Sequence, residues 1–389
     1  MDVDELLTAA VNEAGVDNFG PERDAMLEGL SILVDSVNRE AKLSAEGEAM
    51  FAATIHSLLT RRLGIEDWHA RHPEIGEEEI ESILFGIGLP RTGSTALSHL
   101  LALDRNVRPL RQWEVMAPTP PPDLATEDTD PRVLAVLAAM ENPPEIPVEM
   151  RALLPISPDG PAECLDLMSM TFRCVALDAM AKTPSYSEWL RHECDFEPAY
   201  RFHRRVLKLL QWHRPPSRWR VKSPAHTLSV DALDAVYPQA RFVMTHRNAV
   251  AVIASVASVE MIIGGMTMGN PDREYIGRNS TDVWDTALRR LLAFRDRVGD
   301  DRFYDITFDE MESEPLTAIE GLYVWLGEDL TAETRTAMEA WVERNRTERA
   351  QIGSHRYQAE DFGLDREQLR ERFAYYEARF PNLRISGPL

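Results

Sequence analysis

The chain has 389 residues, of which 44% are hydrophobic and 27% charged, and its formal net charge is −22. That length suits one large core or two to three ordinary domains, and the acidity excludes nonspecific binding to nucleic acid or an anionic membrane, which needs clustered Lys and Arg. Three cysteines without a C-x-x-C pair, Cys164, Cys174 and Cys194, read as reduced structural thiols.

The amino-terminal MDVDELLTAAVNEAG lacks the basic and apolar regions of a secretion signal, so cytoplasmic residence is expected. No apolar run is read as approaching the roughly 18 to 20 residues that span a bilayer, so stable membrane insertion is not expected. Residues 4–72 read as helices over 5–14, 23–40 and 48–62, the second with Leu27, Leu30, Leu33 and Val34 on one face. They form a helical extension, residues 1–78, packed on the core of the protein.

Next comes an apolar run at 83–87, the turn GLPRTGST at 88–95 and a helix at 96–103 with Leu97, Leu100 and Leu101 on its apolar side. Strand, glycine-rich turn and helix start direct backbone N–H groups of the turn at one point, where they hold an anion. The pattern nearly fits the nucleotide P-loop, but Ser94 stands where the lysine that reaches the β- and γ-phosphates belongs. The positive charge sits earlier, at Arg91. An ordinary structural turn has little need of one Arg, two Gly and three hydroxyls together.

After RQWE at 111–114, the proline-rich and acidic stretches 118–131 and 143–161 read as loops over a site rather than linkers. Helices are expected at 162–181 and 200–212. A second strand at 219–221 ends in Lys222-Ser223-Pro224-Ala225-His226 with a helix to 236, and a third at 241–245 ends in His246-Arg247-Asn248 before another helix. Strand, polar tip and helix thus recur three times, the pattern of a parallel α/β sheet with crossover helices. Ligands of such sheets sit beyond the carboxyl ends of the strands, where all three polar clusters fall.

The Gly- and Met-rich segment 261–279 reads as a surface loop or as a gate over an apolar substrate. A helix at 284–298, a strand at 302–307 and helices at 316–326, 332–345 and 366–379 complete the chain. A magnesium-dependent NTPase needs an acidic residue ending a neighbouring strand. Here the strands end in Lys and in His-Arg, so the anion is expected to be held by fixed positive charge with no metal.

Taken together, GLPRTGST, VKSPAH at 221–226, THRNAVAVIAS at 245–255, FDEMESEP at 308–315 and GSHRYQAEDFGL at 353–364 resemble the sulfotransferases that use 3′-phosphoadenosine 5′-phosphosulfate (PAPS), in their bacterial branch. The resemblance implies one P-loop-like, three-layer α/β domain over residues 79–389, with lid or acceptor loops around 118–161 and 261–280. It implies that Arg91, Thr92, Gly93, Ser94, Thr95 and Ala96 grip the phosphosulfate with Lys222. Arg247 and Ser255 would hold the 3′-phosphate, and Phe308, Gly353, His355 and Arg356 would lie against the nucleotide. Arg91 replaces the lysine of many relatives, keeping charge but changing geometry, and the Arg-Lys-Gly motif of animal relatives is absent in that form.

The reaction so implied moves a sulfuryl group to a hydroxyl of a small or lipid-like acceptor and releases 3′,5′-phosphoadenosine (PAP). His226 and Glu114 are the expected alternatives for general base, with Glu163 a distant third, and Lys222 and Arg91 stabilise the transition state. The rival readings are a P-loop small-molecule kinase and a non-catalytic nucleotide-binding protein on the same fold. A homodimer stays open.

Overall fold

The computed structural model describes residues 1–141, 160–215, 217–352, 357–381 and 383. Its amino-terminal helices are α1 (Val3–Ala14), α2 (Arg23–Ser36) and α3 (Ala45–Arg71). Asp2 and Ser44 cap α1 and α3 by accepting from the N–H groups of Glu5 and Gly47, which satisfies donors that the helix itself leaves free. After α2 the chain continues as a short π-helical stretch, Val37–Ala41.

Five strands make one sheet: β1 (Ser82–Gly88), β2 (Val107–Pro109), β3 (Arg218–Lys222), β4 (Arg241–His246) and β5 (Phe303–Thr307). The order is β2-β3-β1-β4-β5 and every pairing is parallel. The register sets Gly86 beside Lys222 and Gly88 beside Thr245. Because all strands point the same way, the ends of the three central ones (β3, β1 and β4) come out side by side. The sequence reading missed β2, which is only three residues long.

The connecting helices are α4 (Ser94–Leu101), α5 (Gln112–Met116), α6 (Pro131–Glu141), α7 (Cys164–Ser169), α8 (Val175–Asp178), α9 (Pro184–His192), α10 (Glu197–Gln211) and α11 (Val230–Val236). Beyond them are α12 (Ala249–Met268), α13 (Arg273–Val298), α14 (Phe308–Ser313), α15 (Pro315–Leu326), α16 (Ala332–Ile352) and α17 (Arg366–Arg379). On one face of the sheet Leu84, Val243 and Ile306 pack with Leu97, Leu100, Ile319, Leu322 and Met338. On the other, Phe85, Phe242 and Met244 join a larger core that runs through α10, α12 and α13 to Leu30, Phe51, Ile55 and Leu59 of the amino-terminal helices. The result is a three-layer α/β fold, with the amino-terminal helices continuous with one outer layer.

Three expectations need correction. The helix expected over 162–181 is two short ones, because Phe172 turns the chain at φ 55° and its carbonyl, like that of Cys174, accepts from the buried Tyr186 hydroxyl. The helix expected from 227 opens as a 3₁₀ turn, Pro224–Ser229, with Ser223 accepting from the Ala225 N–H. The 261–280 loop is no loop. Residues 261–268 finish α12, only Gly269 to Asp272 connect, and α13 begins at Arg273.

Close packing accounts for a glycine that faces this helix: a Cβ at Gly47 of α3 would lie 1.8 Å from the Thr267 carbonyl oxygen. By length and composition the 20-residue α12 is apolar enough to cross a bilayer, contrary to the sequence reading, and 61% of its apolar 18-residue window is buried inside the protein. The acceptor loop expected over 143–161 lies outside the described residues up to 159.

Gly88 is pressed closely against the neighbouring strand. Its φ is 118°, Thr227 Oγ1 bonds both its N–H and its carbonyl, and a Cβ would stand 2.8 Å from the Thr245 carbonyl oxygen. Gly88→Ala is expected to lower stability by about 1–3 kcal/mol, measured as a lower urea midpoint at constant m value. An unchanged midpoint would contradict this packing.

Candidate active site

The turn after β1 is held open by its backbone. Arg91 takes a left-handed φ of 61° and Gly93 one of 87°, with Gly93 as the cap residue before α4. The first N–H groups of α4 have no partner within the helix and face the turn, where the helix dipole favours an anion. Thr92 is fully buried: its Oγ1 donates to the Leu89 carbonyl at 2.8 Å and meets Thr245 Oγ1 at 2.6 Å. Its hydroxyl therefore pins the turn to β4 and is not free for a ligand, unlike that of the exposed Thr95. Ser94 is buried at the helix start and Ala96 half-buried beside it.

Lys222 ends β3 with 5% exposure. Its stem crosses Gly86, where a Cβ would lie 2.8 Å from Lys222 Cγ, so glycine at 86 lets the lysine reach the sheet edge. There Nζ pairs with the Glu163 carboxylate, whose other oxygen accepts from Ser223 Oγ at 3.3 Å. Glu163 precedes α7 and keeps 30% side-chain exposure.

Beyond β4, Arg247 donates from Nη1 to the Arg91 carbonyl at 2.9 Å and lies 4.1 Å over the Phe308 ring. Its Nε is buried with no partner. Arg91 Nε donates to Ser255 Oγ on α12 at 3.2 Å. Phe308, the first residue of α14, packs under the turn, 3.7 Å from where a Gly93 Cβ would be. Residues expected to grip the two ends of one nucleotide thus meet at Arg91.

The Sulfotransferase family matches this chain over residues 84–333. The chain belongs to that family. The crystal structure of sulfotransferase STF9 from Mycobacterium avium superposes with a TM-score of 0.89 at 30% identity, over 97% of this chain and 96% of that one. For sulfotransferase STF1 from Mycobacterium tuberculosis H37Rv the TM-score is 0.83 at 30% identity, over 96% and 99%. No curated protein sequence matches significantly. The family assignment makes the chain a transferase and removes the kinase reading.

Within this sulfotransferase two expected bases are fully enclosed. Glu114 has no exposure; Arg108 donates to both its oxygens, and the Arg111 N–H donates to Oε2 at 3.0 Å, so the carboxylate caps α5 and neutralises a buried arginine. His226 also has no exposure. Its Nδ1 meets the Tyr200 hydroxyl at 2.8 Å, its ring packs edge-on to Phe85 at 5.0 Å, and its Nε2 is buried without a partner. Burial, then His203 and Lys222, push its pKa well below 6.5. A base sealed in an aromatic core cannot meet an acceptor hydroxyl.

His246 is likewise enclosed, between the Tyr376 hydroxyl and Asp305, both at 2.8 Å. Burial opposes the charge on Asp305, yet bonds from Arg295 and His246 hold its carboxyl below the usual range. Gly353, His355 and Arg356 lie outside the described residues.

Arg349 was missed by the sequence reading. It stands within electrostatic reach of Arg91, as do Arg247, Tyr357 and Glu163, and pairs with Glu312 at 2.6 Å. The signal was available: α16 carries its helical pattern to 352 rather than 345, and the continuation brings Arg349 to the cradle.

His203 and His226 are both enclosed and neutral, with burial lowering His203 to about 3. Below pH 6.5 the unfolded chain takes up protons that the folded chain refuses, so stability falls as pH drops, by about 1.4 kcal/mol per pH unit for each group. His226→Phe is expected to flatten this acid limb by one proton while turnover survives. Loss of turnover by more than about tenfold in a folded variant would restore His226 as a candidate base.

Proposed function

We propose that this sulfotransferase uses PAPS as donor and a hydroxyl of a small or lipid-like molecule as acceptor, with Glu163 as general base. The arrangement that carries this reading is Glu163 joined to Lys222 and Ser223 at the edge of the cradle. Carboxylate and ammonium there sit side by side, one able to take a proton and the other to meet negative charge.

The site fits a nucleotide carrying two anionic ends. Backbone N–H groups from Arg91 to Thr95 suit the phosphosulfate. Arg247, with its Nε unpartnered, and Ser255 suit the 3′-phosphate, and Arg349 adds charge on the same side. In the transfer, Glu163 accepts the acceptor proton as the acceptor oxygen bonds to sulfur. The bond from sulfur to the bridging phosphate oxygen breaks with its electron pair left on that oxygen. Lys222, Arg91 and the cradle N–H groups neutralise that charge as it forms, when it is most effective for rate.

Ser223 and Lys222 orient Glu163 before the acceptor arrives, and both are held by the end of β3. No step in this reading calls on a metal. The three cysteines are free thiols, which supports a reducing, cytoplasmic setting.

PAP is expected to bind in calorimetry without magnesium. Arg247→Ala should weaken that binding by about 10-fold to 150-fold, the value of one hydrogen bond to a charged group. Glu163→Gln should lower kcat by about 10²- to 10⁴-fold and leave PAP affinity within a few-fold. Turnover near wild type in Glu163→Gln would remove Glu163 from the role of base.

A further inference from the structure

We infer that Tyr376 of α17 is a positioning residue for Arg247, and that through it this late helix sets the preference of the site for nucleotides carrying a 3′-phosphate. The inference rests on the donor reading above, in which Arg247 meets that phosphate. The family match ends at residue 333, so it does not extend to α17. Yet α17 reaches three consecutive residues at the tip of β4. The Tyr376 hydroxyl is 2.8 Å from His246 Nδ1 and within hydrogen-bond reach of the Arg247 backbone N–H, and Glu377 Oε1 accepts from Asn248 Nδ2 at 3.2 Å.

The direction of each bond follows from its partners. Arg295 of α13 donates from Nη1 and Nη2 to the two oxygens of Asp305, at 2.6 and 2.7 Å. Asp305 also faces His246 Nε2 at 2.8 Å, and a carboxylate only accepts, so Nε2 carries the proton. Burial lowers the pKa of His246, so its ring is neutral near pH 7 and Nδ1 keeps a lone pair. Tyr376 therefore donates to Nδ1, and its oxygen is left to accept from the Arg247 N–H. Each group from Arg295 to Arg247 is then matched, and bonds aligned in one direction polarise one another where the dielectric is low.

Rings around His246 hold that arrangement. Tyr376 lies nearly parallel to the imidazole, with centroids 5.8 Å apart and 11° between planes, Phe380 meets it edge-on at 4.7 Å, and His246 and Tyr376 have no exposure. Close packing leaves neither ring free to turn. Arg247 itself is lightly tied: its guanidinium donates to the Arg91 carbonyl, lies over Phe308 and leaves Nε unpartnered. The place of its main chain, between His246 and Asn248, therefore decides where the guanidinium stands relative to Ser255, two turns along α12. A helix that served packing alone would need neither a hydroxyl at 376 nor a carboxylate at 377.

The test compares, by calorimetry on the full chain, binding of PAP and of 5′-AMP, which lacks the 3′-phosphate. The wild-type protein is expected to prefer PAP. Tyr376→Phe should reduce that preference about three- to tenfold, the value of one hydrogen bond, and leave AMP affinity within about twofold. Glu377→Ala, at an exposed position, should reduce it in the same direction. An unchanged preference in folded Tyr376→Phe, or in Glu377→Ala should Tyr376→Phe not fold, would overturn the inference and leave Arg247 at the 3′-phosphate; an equal loss of PAP and AMP would do the same. A wild-type protein without preference would instead overturn the assignment of the 3′-phosphate to Arg247, and the role of α17 with it. In nitrogen spectra of the histidine-labelled protein at pH 7, His246 is expected as the Nε2–H tautomer, with an Nδ1 signal that moves toward a free imine nitrogen in Tyr376→Phe. A proton on Nδ1 of wild-type His246 would overturn the bond directions on which the inference stands.

Discussion

Several cations must stand near one point in this protein, and their mutual repulsion is what the site is built to contain. Arg91, Lys222, Arg247 and Arg349 come from separate parts of the chain, and each has a local tie. Lys222 has the Glu163 carboxylate, Arg247 the carbonyl of Arg91, Arg349 the Glu312 carboxylate, and Arg91 the hydroxyl of Ser255. The ties at Arg91 and Arg247 are to neutral groups, with Tyr357 and Glu163 in electrostatic reach of Arg91, so an anion entering the cradle would further offset the repulsion. A local cluster of cations thus sits within a strongly acidic protein.

The parallel sheet makes the gathering possible. With β3, β1 and β4 adjacent and parallel, the residues after each strand emerge along one edge, and the glycines at 86 and 88 let side chain and backbone pass closely. Thr92 and Thr227 hold the turn from either side through buried hydroxyl bonds. The cradle is thus rigid before any ligand arrives, which favours binding in one geometry.

Burial separates enclosed polar groups from accessible ones. Glu114, His226 and His246 have the chemistry of bases but are enclosed and bonded to Arg108, Tyr200 and Asp305. Glu163 shares its carboxylate with Lys222 yet keeps access to the edge of the sheet. The amino-terminal helices belong to the same support, since their core is continuous with that under α10, α12 and α13, and through Gly47 they abut α12 at Thr267.

The sequence by itself determined the parallel sheet, the anion turn and the charges at its rim. Those features are local: a glycine at a left-handed φ, a lysine or arginine at a strand end, and apolar runs whose period is set by the backbone. It also carried the family, through motifs in their order. What only the tertiary structure decided is which polar groups stay accessible. His226 and Glu114 are enclosed and Glu163 is not, because partners such as Tyr200 and Arg108 meet them only after folding. The Gly- and Met-rich run after 260 is helical and packs closely on α3, the Thr267 carbonyl against Gly47, a contact no local pattern records. Close packing between remote segments is the physical reason for both outcomes.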